Sequence, residues 1–223
     1  MQERVDLEGL TRRTRRIEFE DGLNDLQNAL VFGLVGLLGA FFLSPGGIRL
    51  YMRALLANRD LTMVGLIGMF ALFVLITFGA RRLIMSYRRR VLWKSRGDLE
   101  PLRWQVDSRA SVLAGSVWLI VTIAGLVLFM QGPMDLDSGM RVVVAASGVA
   151  TGLIYFMLGH TMQVARYRWV GLVAGLLSAA LIPLPLSGVA SWLVFAGIWA
   201  GALLVSGSAA LRRTLHSLER SEA

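Results

Sequence analysis

No cysteine occurs in this chain, which excludes a disulfide framework, a thiolate metal site and a cysteine nucleophile. Histidine is nearly as scarce, with two residues among 223, so a histidine-rich metal centre is excluded too. Charge is missing from six long apolar stretches, Leu26 to Leu43, Leu61 to Gly79, Ala110 to Met130, Val142 to Gly159, Trp169 to Leu186 and Val189 to Leu211, none of which holds Asp, Glu, Lys or Arg. The usual marker of an ion pathway, a proton relay or an intramembrane catalytic site is therefore absent from them. Polar sequence is short as well. Its longest run is about 30 residues, too few to enclose a soluble core. The serine elbow, the phosphate loop, the HExxH helix and the aspartate-rich signatures of membrane phosphotransferases do not occur either.

What remains is a membrane protein. Each apolar stretch is near the roughly 20 residues that cross a ~30 Å hydrocarbon core, and the predicted fold class is all-α, a bundle of six transmembrane helices. Pro183 and Pro185 lie between the last two stretches and resist helix, which favours a tight turn there over one long helix. A re-entrant turn instead gives five crossings. Orientation follows from the cations. Nineteen of the 23 Lys and Arg lie before the first span, between spans two and three, between four and five, and after six. That asymmetry predicts both termini in the cytoplasm. Residues 1–25 read as a cytoplasmic amphipathic segment without a cleavable signal, 26–211 as the transmembrane domain with a basic cytoplasmic loop at 80–109, and 212–223 as a cytoplasmic tail. The net charge of +8 addresses anionic lipid head groups, and no nucleic-acid motif accompanies it.

Chemistry is confined to the ends of the spans. Glu18, Glu20, Asp21 and Asp25 crowd the start of the first span, where they favour a helix N-terminus and pair with Arg15 or Arg16, or else receive a cation or a basic partner. Phe19, Leu23, Leu26 and Leu30 recur at helical spacing, as in a short helix lying on the membrane surface. The phrase Glu18-Phe-Glu-Asp-Gly-Leu-Asn-Asp-Leu26 resembles the opening of uncharacterised small bacterial multi-span membrane proteins. The resemblance covers about ten residues and implies a bacterial inner-membrane setting, with no activity attached.

Arg81, Arg82, Arg88, Arg89 and Arg90 continue the second span as a basic stalk suited to anionic lipid or an acidic protein partner. Pro45 to Asp60 reads as an interfacial helix. Asp135 and Asp137 lack the further oxygen ligands of a calcium loop. His160, at the end of span four, reads as a helix-end residue near head groups; as a general acid or base it needs a carboxylate such as Asp25, Asp98 or Asp107.

Small residues supply the packing candidates. Gly148 with Gly152, Gly171 with Gly175 and Gly197 with Gly201 are small-xxx-small pairs on spans four, five and six, which permit close backbone approach within the bundle or in a homodimer. These features predict a non-enzymatic inner-membrane protein that binds lipid or a protein partner, with no cofactor and no metal. The alternatives are a transporter subunit with Asn28, Thr77, Thr122, Ser147, Thr151 and Ser178 along a polar route, and a lipid-active enzyme using His160.

Overall fold

The computed structural model describes residues 19–92, helical positions at 116, 119–120, 123–124, 127 and 130, and residues 135–222. Helix accounts for nearly all of this, and no strand occurs among the described residues. Six helices are delimited: α1 (Leu23–Leu43), α2 (Pro45–Ala57), α3 (Arg59–Tyr87), α4 (Leu136–Thr161), α5 (Ala165–Ala179) and α6 (Gly188–Glu222). A π-helical turn, Arg88–Leu92, prolongs α3. Among the described residues, four helical segments are long and apolar enough to cross a membrane: Leu23–Leu43, Arg59–Leu92, Asp137–Thr161 and Gly188–Arg220.

These helices extend beyond the apolar stretches because favourable caps let them run on. Asn58 accepts a hydrogen bond from Leu61 N at 3.0 Å and starts α3 two residues before its apolar run. Asp135 accepts from Ser138 N at 3.2 Å and starts α4. The Ser138 hydroxyl and, after it, the Ser138 N–H hold the Asp135 carboxyl below the ordinary range. Asp137 accepts Gly188 N at 2.7 Å, tying the start of α6 to the start of α4. Asp135 and Asp137 are thus both occupied as helix caps.

The fifth stretch departs from expectation. Its helix ends at Ala179 and is 15 residues long, about 22 Å at 1.5 Å per residue. Turns through Ser187 finish the passage, and Arg141 donates to Leu184 O from α4. The Pro183–Pro185 turn therefore sits level with the first turns of α4, and α5 with the turns that follow it runs antiparallel to α4, the helix itself flanking only the second half of α4. The third stretch falls largely outside the described residues.

Contacts define two ends. At the basal end lie Phe19 to Gly22, the π turn, the α4–α5 junction and the Gly207 region of α6; at the distal end lie α2, the proline turn and the starts of α4 and α6. α1 and α6 pack antiparallel along their length. A Cβ on Gly22 would meet Gly207 O at 2.3 Å, one on Gly36 the Ala196 Cβ at 1.9 Å, and one on Gly39 the Trp192 ring at 3.0 Å. Gly22 needs its glycine twice over, since its φ is 79°. α4 and α5 cross just as closely. A Cβ on Gly148 would strike Ser178, one on Gly152 would strike Gly171 O at 2.6 Å, and one on Gly171 would strike Gly152 O at 2.5 Å.

Aromatic rings fill the centre. Phe32 of α1 stacks on Trp199 of α6 at 5.3 Å, and Tyr155 of α4 lies 5.4 Å from Trp199 and 5.7 Å from Tyr167 of α5. Trp199 is wholly enclosed and donates to Ser178 Oγ at 3.2 Å, which satisfies the indole in an apolar interior. α3 is peripheral by comparison. Thr62, Leu66, Met69, Phe73, Thr77, Ala80 and Ile84 form a half-buried stripe, while residues on its other faces are exposed. An all-apolar circumference of this kind is at home in lipid.

Candidate functional site

Two carboxylates at the start of α1 organise the basal end. Asp21 and Asp25 are both buried, with Asp25 completely hidden. Asp21 accepts Leu23 N at 2.9 Å, opening α1. Its two oxygens also receive Arg88 Nε at 2.5 Å and Arg88 Nη2 at 2.8 Å. Arg88 Nη2 donates further to Asn24 Oδ1 at 3.1 Å. The fork-to-fork geometry offsets the cost of burying both charges.

The π turn makes this pairing possible. By widening the helix for one turn it brings Arg88 and Leu92 inward, where Leu92 packs with Leu23, Leu211, Leu215 and Leu218. Arg81, Arg82, Arg89 and Arg90 stay exposed. The five-arginine stalk of the sequence reading is therefore divided: Arg88 turns into the protein and four arginines face outward.

Asp25 lies one turn further along α1. Tyr167 OH of α5 donates to Oδ1 at 2.5 Å and Ser206 Oγ of α6 donates to Oδ2 at 3.0 Å. Arg166 Nε stands 3.4 Å from Oδ2 without hydrogen-bond alignment. The remaining guanidinium nitrogens of Arg166 donate to the carbonyls of Phe19 and Glu20, and Phe19 rests edge-on against the Tyr167 ring at 5.8 Å. Asn28, a further turn along, donates to Tyr155 OH at 2.8 Å. Asp21, Asp25 and Asn28 share one face of the chain, so their polar groups all meet α4, α5, α6 or the π turn.

Several expectations change in consequence. The segment Phe19 to Leu26 does not lie flat on a membrane surface as a single amphipathic helix, because Gly22 breaks it and both Phe19 and Leu23 pack into the protein. Asp21 and Asp25 do not present charge to an outside partner, since their own chain binds them. Glu20 is exposed, and Glu18 lies outside the described residues. His160 is exposed on the last turn of α4, whereas Asp25 is bound by Tyr167, Ser206 and Arg166. An acid–base pair between His160 and Asp25 is not formed. Asp98 and Asp107 lie outside the described residues.

The proposed polar route fares similarly. Thr77, Thr151 and Ser178 donate to carbonyls of their own helices, Phe73 O, Ser147 O and Ala174 O, and Asn28 is engaged by Tyr155; Thr122 lies outside the described residues. Of the glycine pairs, Gly148, Gly152, Gly171 and Gly175 form the α4–α5 crossing. Gly197 and Gly201 do not pack within the described structure, as nothing stands within 4 Å of an added Cβ at either. No cluster of metal-ligating side chains occurs among the described residues.

The sequence displayed the acids and the arginines but not their partners, because Arg88 is 67 residues from Asp21 and Tyr167 is 142 from Asp25. One signal was available: Tyr167 and Arg166 adjoin in a short basic connection that had to face the α1 start if both lay on the cytoplasmic side. No protein-family model, no curated protein and no solved structure matches the chain.

Proposed function

We propose that this chain is a six-crossing protein of the bacterial inner membrane with both termini in the cytoplasm, and that it works without catalysis, by holding anionic lipid head groups at its basal end, alone or as the membrane subunit of a larger complex. The observation that carries this reading is the division of the arginines at the end of α3. Arg88 is fixed to Asp21, which sets the depth and rotation of the helix end, while Arg81, Arg82, Arg89 and Arg90 stay exposed just below an apolar, lipid-compatible helix. Arg168, Arg212 and Arg213 are also exposed at this end. Cations in that position each gain roughly 1 kcal/mol from an anionic surface.

The test is lipid retention. The protein purified in mild detergent is expected to keep phosphatidylglycerol or cardiolipin in preference to phosphatidylethanolamine, by mass spectrometry of the extracted lipid. Replacing Arg81, Arg82, Arg89 and Arg90 together by Gln is expected to abolish that preference with yield unchanged. Unaltered lipid selectivity in the fourfold variant contradicts the reading.

A further inference from the structure

We propose that the third apolar stretch, Ala110 to Met130, crosses the membrane along the back of α4, on the side that α5 and α6 leave open. The circumference of α4 carries the argument. Among the described helices, α5 and α6 are the two that run along it. Gly148, Gly152 and Gly159 meet Ser178, Gly171 and Arg168 of α5, while Met140, Gly148 and Tyr155 meet Gly188, Phe195 and Trp199 of α6. At about 100° per residue these positions occupy roughly a third of the helix surface. Gly139, Val143, Ala146 and Ala150 lie on the opposite side.

That side is covered. Ala150 has no exposed surface, Gly139 is buried, and Val143 and Ala146 are half-buried. Leu153 and Met157 continue the same side toward the basal end and are 47% and 45% exposed. A helix does not hide the methyl group of its own outward alanine, so a further element crosses the distal half of α4 and diverges before Leu153.

Chain connection identifies that element. Residues 93–134 join the π turn at the basal end to α4 at the distal end. Four residues, Gln131, Gly132, Pro133 and Met134, separate Met130 from the Asp135 cap, a reach of about 17 Å at ~3.4 Å per residue. Packed helices stand about 8–10 Å apart. Met130 is thereby held near the start of α4, where Gly139 and Val143 lie and where the sectors facing α5 and α6 are already filled. The stretch has an asymmetry to match. Leu119, Ile120, Ile123, Val127 and Met130 are helical, exposed and spaced as one face. Trp118, Val121, Thr122 and Gly125 take the opposite register positions, and a course antiparallel to α4 puts them near the level of Ala146. This placement rests on the six-crossing reading and adds the neighbour that the third crossing takes.

Paired cysteines test it, since the native chain has none. Ala146→Cys is combined in turn with Val121→Cys, Thr122→Cys or Gly125→Cys, and with Leu119→Cys, Ile120→Cys or Ile123→Cys. Each full-length double variant is oxidised in native membranes with copper phenanthroline; a disulfide requires Cα atoms within about 7 Å. Bond formation is expected within the first set and is expected to be lost in the second. It is read by mass spectrometry as a tryptic species joining residues 110–141 to 142–166, in a chain that stays monomeric on a non-reducing gel. Val143→Cys, paired with Gly125→Cys and Phe129→Cys, takes the place of Ala146→Cys where that variant fails to accumulate. No bond in the first set, as lipid on that side of α4 would give, overturns the placement, and so does equal bonding in the second set. A disulfide-linked dimer overturns it as well, because a second copy then covers α4. Labelling of Ser86→Cys and Ser187→Cys from opposite sides of the membrane reads the crossing itself, so a missing bond with that labelling intact counts against the placement alone.

Discussion

At the scale of single residues the most consequential pair is Asp21 with Arg88. Removing one member leaves the other charge buried without a partner, which costs about 3–5 kcal/mol in such settings. Asp21→Asn and Arg88→Gln are each expected to lower thermal stability in detergent sharply, by fluorescence-monitored unfolding, and the double variant is expected to recover much of the loss. Additive losses would mean that the two side chains act separately. The sequence made both residues visible as charges near a membrane surface, and charge alone suggested outward contact. Their burial depends on a widened helical turn and on a left-handed glycine, two backbone choices that composition does not announce. Asp25 was legible in the same partial way: its position on the polar face of α1 is fixed by helical spacing, whereas Tyr167 and Ser206 come to it only through tertiary packing.

At the scale of elements, glycine spacing marks a close helix approach where α4 and α5 cross, at Gly148, Gly152, Gly171 and Gly175, while at Gly197 and Gly201 on α6 the described residues place no neighbour within 4 Å of an added Cβ. The same pattern has two outcomes because a small residue permits approach without compelling it. Gly152→Ala is accordingly expected to destabilise the protein by about 1–3 kcal/mol through overpacking, and Gly197→Ala to leave it unchanged. Equal effects in an unfolding assay would contradict the crossing. The α4–α5 junction offers the reverse case. Gln163 has a φ of 56°, a conformation that costs a residue with a Cβ about 1–2 kcal/mol; Gln163→Gly is expected to raise the unfolding midpoint. A lowered midpoint would mean that its side chain has a compensating role.

The apolar stretches located the helices well because length and hydrophobicity are what a bilayer demands of a spanning segment. Their ends were read less well, since caps such as Asn58 and Asp135 extend helices past the apolar boundary. The fifth stretch shows the limit most clearly: its composition predicts a full span, but the helix stops at Ala179, and the two prolines that follow make the rest of the passage a series of turns held by Arg141.

At the scale of the whole molecule, the ion pairs, most of the exposed arginines and the α4–α5 junction gather at the basal end, while Arg49, Arg53 and Arg59 and several helix caps lie at the distal end. Six crossings with both termini in the cytoplasm require the basal end to face inward, in keeping with the positive-inside distribution of cations. The absence of cysteine from the native chain makes this directly measurable, because each introduced thiol is the sole target of a membrane-impermeant maleimide. Single-cysteine variants at Ala57 and Ser187, both exposed at the distal end, and at Ser86 and Ser217, both exposed at the basal end, are labelled in intact spheroplasts and again after permeabilisation. The six-crossing arrangement predicts labelling of the first two from outside and of the last two only after permeabilisation. Labelling of Ser187→Cys and Ser217→Cys from the same side would contradict it.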